Sequence, residues 1–280
     1  MHASDVMSSP VYVIELQDTV AHARNLMIRH KISRCPVLKD GILRGIITKK
    51  DLVYGLRQSE PIWRRRPIDR IPVEILMAND PVTIEPSTAI GKIASIMVSR
   101  EISGLPVMED GELVGIVTKS DLLDSELVNR LSATIAKLME PVEIVSRYHS
   151  LDHVIDIMSE QSNKVVVVNN DGTIAGIITE SNLAFFIYMN EKTELPQRDI
   201  RFLRREESAG RKSYRYVFDV SSVAEDFMSH PVVTVSNPDA PIQDAIRLMR
   251  EHHINSVVVA DEKELKGIVK RDDIIQEVAK

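Results

Sequence analysis

Four short stretches of this chain set a hydroxyl or a cation three residues ahead of an acid or an amide, each directly after an apolar run. They are RGIITKKDL (44–52), VGIVTKSDL (114–122), AGIITESNL (175–183) and KGIVKRDDI (266–274). The pairs they create are Thr48 with Asp51, Thr118 with Asp121, Thr179 with Asn182, and Lys270 with Asp273. Two chemistries suit such a pair. In the first, the hydroxyl caps a helix and the acid at the third helical position reaches back to the cap's own N–H, an arrangement worth roughly 0.5–2 kcal/mol. In the second, the carboxylate accepts charge-assisted hydrogen bonds from a ligand. The hydroxyl then stands beside the free N–H groups and positive dipole end of a helix, where an anion is favoured. One copy of the pattern does not choose between them.

The elements that must hold these pairs are written four times as well. Met27, Met97, Met158 and Met249 each lie 18 residues before the glycine of the motif, at Gly45, Gly115, Gly176 and Gly267. Further upstream, Met7, Met77, Met139 and Met228 lie 37 to 39 residues before the same glycines. Apolar residues at i, i+3 and i+7 (Val20/Ala23/Met27, Ile90/Ile93/Met97, Leu151/Val154/Met158 and Ile242/Ala245/Met249) predict a helix that turns its methionine to a core. Alternating β-branched runs such as PVTIE (81–85) and PVVTV (231–235) predict a strand before that helix. Two further apolar runs, separated by turn residues, predict two strands after it, and the second ends on the motif where another helix begins. Each copy therefore reads β-α-β-β-α within an α/β (α+β) chain. The expected boundaries are 1–58, 74–130, 131–189 and 223–280, with a basic linker at 59–73 and a basic insertion at 190–222. A unit of this length buries little surface alone, so the copies are expected to pair through their sheets.

Composition sets outer bounds. At 280 residues and 44% apolar content the chain supplies globular cores, and 35 basic against 41 acidic residues (net charge −6) argue against bulk nucleic-acid binding. No apolar run reaches the length of a membrane span, and the opening MHASDVMSSP lacks the features of a secretory signal, so a cytoplasmic location is expected. Cys35 is the sole cysteine and is expected to be a small buried side chain rather than a disulfide or metal partner.

Tandem β-α-β-β-α units ending in G-h-h-T-x-x-D, with h apolar, resemble CBS (cystathionine β-synthase) domains, and four copies cover nearly the whole chain. The chain is similar to the γ subunit of AMP-activated protein kinase and to stand-alone archaeal and bacterial CBS proteins. The resemblance implies that copies one and two, and copies three and four, form two Bateman modules whose clefts bind adenosine-containing ligands. It implies a non-catalytic regulatory role: binding of AMP, ADP or ATP and energy sensing, with occupancy signalled to a regulated partner protein, and it leaves room for a homodimer. Asp51, Asp121 and Asp273 would accept hydrogen bonds from the ribose diol. Asn182 has lost the charge and would be a weak or empty ribose site. Thr48, Thr118 and Thr179 would place phosphate at the helix start, with Lys270 replacing the hydroxyl in copy four. Arg34 and Lys164 match phosphate-binding positions of kinase-γ-like relatives, and Lys50 is a further phosphate candidate. In copy two the matching place is Ser103-Gly104, so its phosphate partner would come from the paired copy. The alternative ligands, S-adenosylmethionine and methylthioadenosine, would use the aspartates without the phosphate-binding cations.

Other features point elsewhere more weakly. WRRRP (63–67) and the stretch 198–218, with Tyr214 and Tyr216 among its arginines, concentrate positive charge that could meet nucleic acid or an acidic partner. A solvated insertion explains them as well. His149 and His153 are spaced i, i+4, but no third metal ligand accompanies them, and no nucleophile with a base or P-loop is present. No catalytic residue, metal or cofactor is expected.

Overall fold

The computed structural model describes residues 1–54, 68–160, 162–189, 201–203, 216–218, 222–261 and 264–279. WRRRP (63–67) and most of the 190–222 insertion lie outside them. Each copy forms an antiparallel hairpin: Arg34–Lys39 with Ile42–Thr48, Gly104–Glu109 with Glu112–Thr118, Lys164–Val168 with Ile174–Thr179, and Ser256–Asp261 with Glu264–Lys270. A shorter strand runs parallel to the first hairpin strand, as Ile14–Glu15, Glu143–Ser146 and Thr234–Val235. In copy two it shrinks to one parallel bridge, Ile84 to Val107. A parallel pair needs a crossover, supplied by the helices Val20–Arg29, Ile90–Ser99, Leu151–Glu160 and Ile242–Glu251.

The apolar stripes face the core as the periodicity predicts. Met27, Met97, Met158 and Met249 are at most 3% exposed. Asp40-Gly41 and Asp110-Gly111 close the first two hairpins as two-residue loops with both φ angles positive, 52° and 77°, then 50° and 85°. That conformation matches the right-handed twist of the strands and suits Asp-Gly.

The chain divides into two units, Met1–Pro141 with Val233–Lys280, and Val142–Val232. In the first unit the segment that precedes each copy does not stay on its own sheet. Met77 packs against Gly45 of copy one, Met7 against Gly115 of copy two, and Met139 against Gly267 of copy four. In the second unit Met228 packs against Gly176 of copy three. A Cβ at Gly45 or Gly176 would fall 2.5 Å from the methionine sulfur, so these glycines are required by close approach rather than by backbone angle. The residue after each methionine then bridges to the residue after the receiving glycine: Ser8 to Ile116, Ala78 to Ile46, Glu140 to Ile268 and Ser229 to Ile177. The segments before copies one and two thus pack on each other's copy, and the segments before copies three and four do the same.

Copies two and four share one hydrophobic core in the first unit, with Ile90, Ile93, Met97 and Leu122 joined to Ile242, Ile246, Ile274 and Ile275. The helix starts beside this core are linked in a two-fold manner. Lys119 pairs with Asp272 at 3.1 Å, while Arg271 donates to Ser120 Oγ at 2.6 Å. Each partner occupies the position its opposite holds in the other copy, so the contact is self-complementary within a single chain.

Candidate functional site

All four motif pairs cap their own helices. Asp51 Oδ2 accepts from both the N–H and the hydroxyl of Thr48 at 2.7 Å, and Asp121 repeats this with Thr118 at the same distances. Asn182 Oδ1 does likewise from Thr179 at 3.0 and 2.7 Å, and Asp273 Oδ2 accepts from Lys270 N–H at 2.7 Å. Capping consumes one oxygen. Asp51 also accepts from its own backbone N–H, whereas the second oxygen of Asp121 has no hydrogen-bond donor among the described residues. Burial pushes both carboxyls above the ordinary aspartate range, and the threonine hydrogen bonds partly offset this.

Hairpin register puts a chosen residue across from every cap. Arg34 faces Thr48, Gly104 faces Thr118, Lys164 faces Thr179 and Ser256 faces Lys270. Arg34 does not remain over its own copy. Its guanidinium crosses Gly104 and donates through Nη1 to the Ser103 carbonyl and through Nη2 to Ser103 Oγ, the latter at 2.8 Å. The place left bare in copy two by Ser103-Gly104 is thus filled by the arginine of copy one.

A second arginine belongs to this centre. Burial first, then the neighbouring charge of Arg271 from copy four, lowers Arg34 to about 10, against Asp121 and Asp272. Arg271 is itself lowered, first by burial, and Lys49 is lowered by burial and by Arg34. At about 10, Arg34 stays protonated at neutral pH. The buried Nε atoms of Arg34 and Arg271 have no acceptor among the described residues. Copies one, two and four therefore bring together cations that oppose one another's charge, and the two arginines each keep an Nε donor in reserve, an arrangement suited to an anion.

The remaining expected residues are placed differently. Lys50 is exposed, near enough to Asp51 to lower its carboxyl. Lys164 is 4% exposed and lies in the second unit with Thr179 and Asn182. Lys270 donates to Glu140 Oε2 at 3.0 Å. Thr179 and Thr118 serve as caps. Arg271, Lys49 and Lys119 were not singled out by the motif, yet a signal for them exists: the position after the cap is Lys49, Lys119, Glu180 and Arg271, basic in three copies of four. His149 and His153 pack edge to face at 4.5 Å, and no group of three metal-binding side chains occurs among the described residues. Cys35 is buried and its thiol is pushed up to about 12 by burial, which keeps it unreactive. No helix among the described residues is long and apolar enough to cross a membrane.

The fold and this repeated cap define a tandem domain class, and sequence comparison identifies it. The chain matches the CBS domain family over residues 3–57, 65–127, 135–188 and 223–280, and it belongs to that family. Among solved structures, protein MJ1225 from Methanocaldococcus jannaschii, proposed as an archaeal homolog of g-AMPK, superposes with a TM-score of 0.78. It is 18% identical, with 99% of each chain covered. The 33.4 kDa protein in the ribosomal RNA operon of Thermofilum pendens is 25% identical over 95% of this chain and 87% of its own. The CBS domain-containing protein DDB_G0289609 of Dictyostelium discoideum is 34% identical over 49% of this chain and 92% of its own length.

Proposed function

We propose that this CBS protein is a non-catalytic regulator that binds an adenine nucleotide, AMP, ADP or ATP, and signals its occupancy to a partner protein. The observation that carries this reading is the meeting of Arg34 and Arg271 beside Asp121, with buried guanidinium donors to spare. A phosphate would accept those donors and relieve the repulsion between the two cations. The second oxygen of Asp51 or Asp121 is the acceptor a ribose diol requires. S-adenosylmethionine and methylthioadenosine bring no phosphate, and the former adds a positive charge, so the cation centre favours a nucleotide. Signalling follows from linkage. A ligand that engages side chains from three copies stabilises only the arrangement that brings them together, and any partner that reads that arrangement is coupled to the ligand reciprocally.

Isothermal titration of the full chain with AMP, ADP, ATP and S-adenosylmethionine tests this. Arg34→Ala should weaken the preferred nucleotide by about tenfold or more, from the loss of one or two charge-assisted hydrogen bonds. Preference for S-adenosylmethionine, with Arg34→Ala neutral, would replace the nucleotide reading.

A further inference from the structure

The residue after each exchanged methionine varies, while the residue it meets is isoleucine in every receiving copy. After each methionine comes Ser8, Ala78, Glu140 or Ser229, and each bridges the residue that follows the receiving glycine. That residue lies two positions before the cap, so it shares a sheet face with the cap side chain. Opposed residues of an antiparallel bridge point to the same face, and a diagonal neighbour is within reach of a long side chain. The residue after the methionine is therefore positioned to touch the cap of the copy that receives it.

What it does there differs between copies. In copy four Glu140 Oε2 accepts from Lys270 Nζ at 3.0 Å. In copy three Ser229 Oγ accepts from Asn182 Nδ2 at 2.8 Å. In copy one Ala78 has no polar side-chain atom to offer Asp51, and in copy two Ser8 makes no side-chain hydrogen bond among the described residues. The groups that face Asp273 are Lys270, Glu140 and Asp272, so two of its three charged neighbours are carboxylates.

We infer that the residue after each exchanged methionine selects which copies accept a nucleotide, and that Glu140 closes copy four by holding Lys270 and setting a second carboxylate beside Asp273. An incoming phosphate would have to displace Glu140 from the lysine and approach an acidic pair. Ser229 acts more mildly in copy three by taking up an amide donor of Asn182. Copies one and two carry no such internal partner. The inference rests on the nucleotide reading above for its ligand, but not on Arg34 or Arg271.

The test is native mass spectrometry and calorimetry of the full chain with AMP, comparing the unaltered protein with Glu140→Ser and with Glu140→Ser/Asp273→Ala. Serine is the residue already present at the matching positions 8 and 229. The expected result is one additional AMP bound by Glu140→Ser, at least tenfold tighter than any binding of the unaltered protein at that site, and its loss in the double variant. Equal stoichiometry and affinity for the unaltered protein and Glu140→Ser would overturn the inference, as would an added AMP that survives Asp273→Ala. If the unaltered protein binds no AMP while Glu140→Ser binds one through Asp273, the selector role stands and the Arg34 centre loses its assigned ligand. If neither binds, both readings fall.

Discussion

Arg34 passes so close to Gly104 that a methyl group added at the glycine would fall 2.6 Å from the arginine Cδ. An arginine from one copy thus depends on the absence of a side chain in another. The crowding involves a long side chain rather than backbone, so Gly104→Ala should expel Arg34 and leave the sheet standing. Expected are a stability loss of about 1–3 kcal/mol, from the hydrogen bonds to Ser103 that would be broken, and an AMP affinity reduced about tenfold or more. Gly91→Ala is the control, because a Cβ there meets nothing within 4 Å. In the first turn of the helix Ile90–Ser99 it should change stability by no more than about 0.5 kcal/mol and leave AMP binding unchanged. Urea titration and calorimetry of both variants decide the matter, and unaltered AMP binding by Gly104→Ala would show that the position of Arg34 is immaterial to the ligand.

Asp51 is at once a cap and the proposed ribose acceptor, and the two duties separate by substitution. Copy three already carries the informative change: Asn182 accepts from the Thr179 N–H and hydroxyl as an aspartate would. Asp51→Asn should therefore keep its helix and melt close to the unaltered protein, while AMP binding weakens by about tenfold. Asp51→Ala loses both and should also cost about 0.5–2 kcal/mol of stability. Thermal melts with calorimetry read both quantities. Full AMP affinity in Asp51→Asn would confine this residue to capping.

The elements were legible because their signals are local. The methionine stripes and the Asp-Gly turns depend on residues within a few positions of one another, and the helices and hairpins follow them. The cap was legible for the same reason. The exchange was not. Met7 lies 38 residues before Gly45, and Met77 38 before Gly115, so a uniform spacing carries no information about which glycine receives which methionine. Arg271 was hidden for a related reason. Its importance arises from the docking of copy four on copy two, which places it against an arginine more than 200 positions away in the chain. The shared core that brings the two copies together is long-range, and no motif near Arg34 points to it.

Asp273 gives the chain a titration near neutrality. Burial first, then Glu140 and Asp272, raises its carboxyl from 3.8 to about 6, against the Lys270 N–H and ammonium. A folded pKa above the unfolded one means that the folded protein binds the proton more tightly. The associated stability is fully present below about 3.8 and is lost as pH rises through about 6. Asp273→Asn removes that dependence and keeps an oxygen for the cap. The melting temperature of Asp273→Asn relative to the unaltered protein should accordingly rise between pH 4.5 and pH 7. Glu140→Gln should reduce the same dependence in part. Parallel, pH-independent differences in melting temperature would show that Asp273 titrates as an ordinary surface carboxyl.

Segment exchange makes a sharper prediction, because it specifies which methionine couples to which glycine. The three atoms nearest a Cβ at Gly115 would all belong to the Met7 side chain, with Cγ at 2.9 Å and Cβ at 3.2 Å besides the sulfur. Gly115→Ala should cost about 1–3 kcal/mol by overpacking. Met7→Ala should also destabilise, through the packing lost around a partly buried side chain, but it removes the atoms that the new methyl would strike. The double variant Met7→Ala/Gly115→Ala should then be more stable than the sum of the single losses by about 0.5–3 kcal/mol. Met77→Ala combined with Gly115→Ala shares no such contact, and its losses should add to within about 0.5 kcal/mol. Urea unfolding of the five variants supplies both cycles. If each copy instead kept its preceding segment, Met77 would be the residue coupled to Gly115, and the two cycles would trade places.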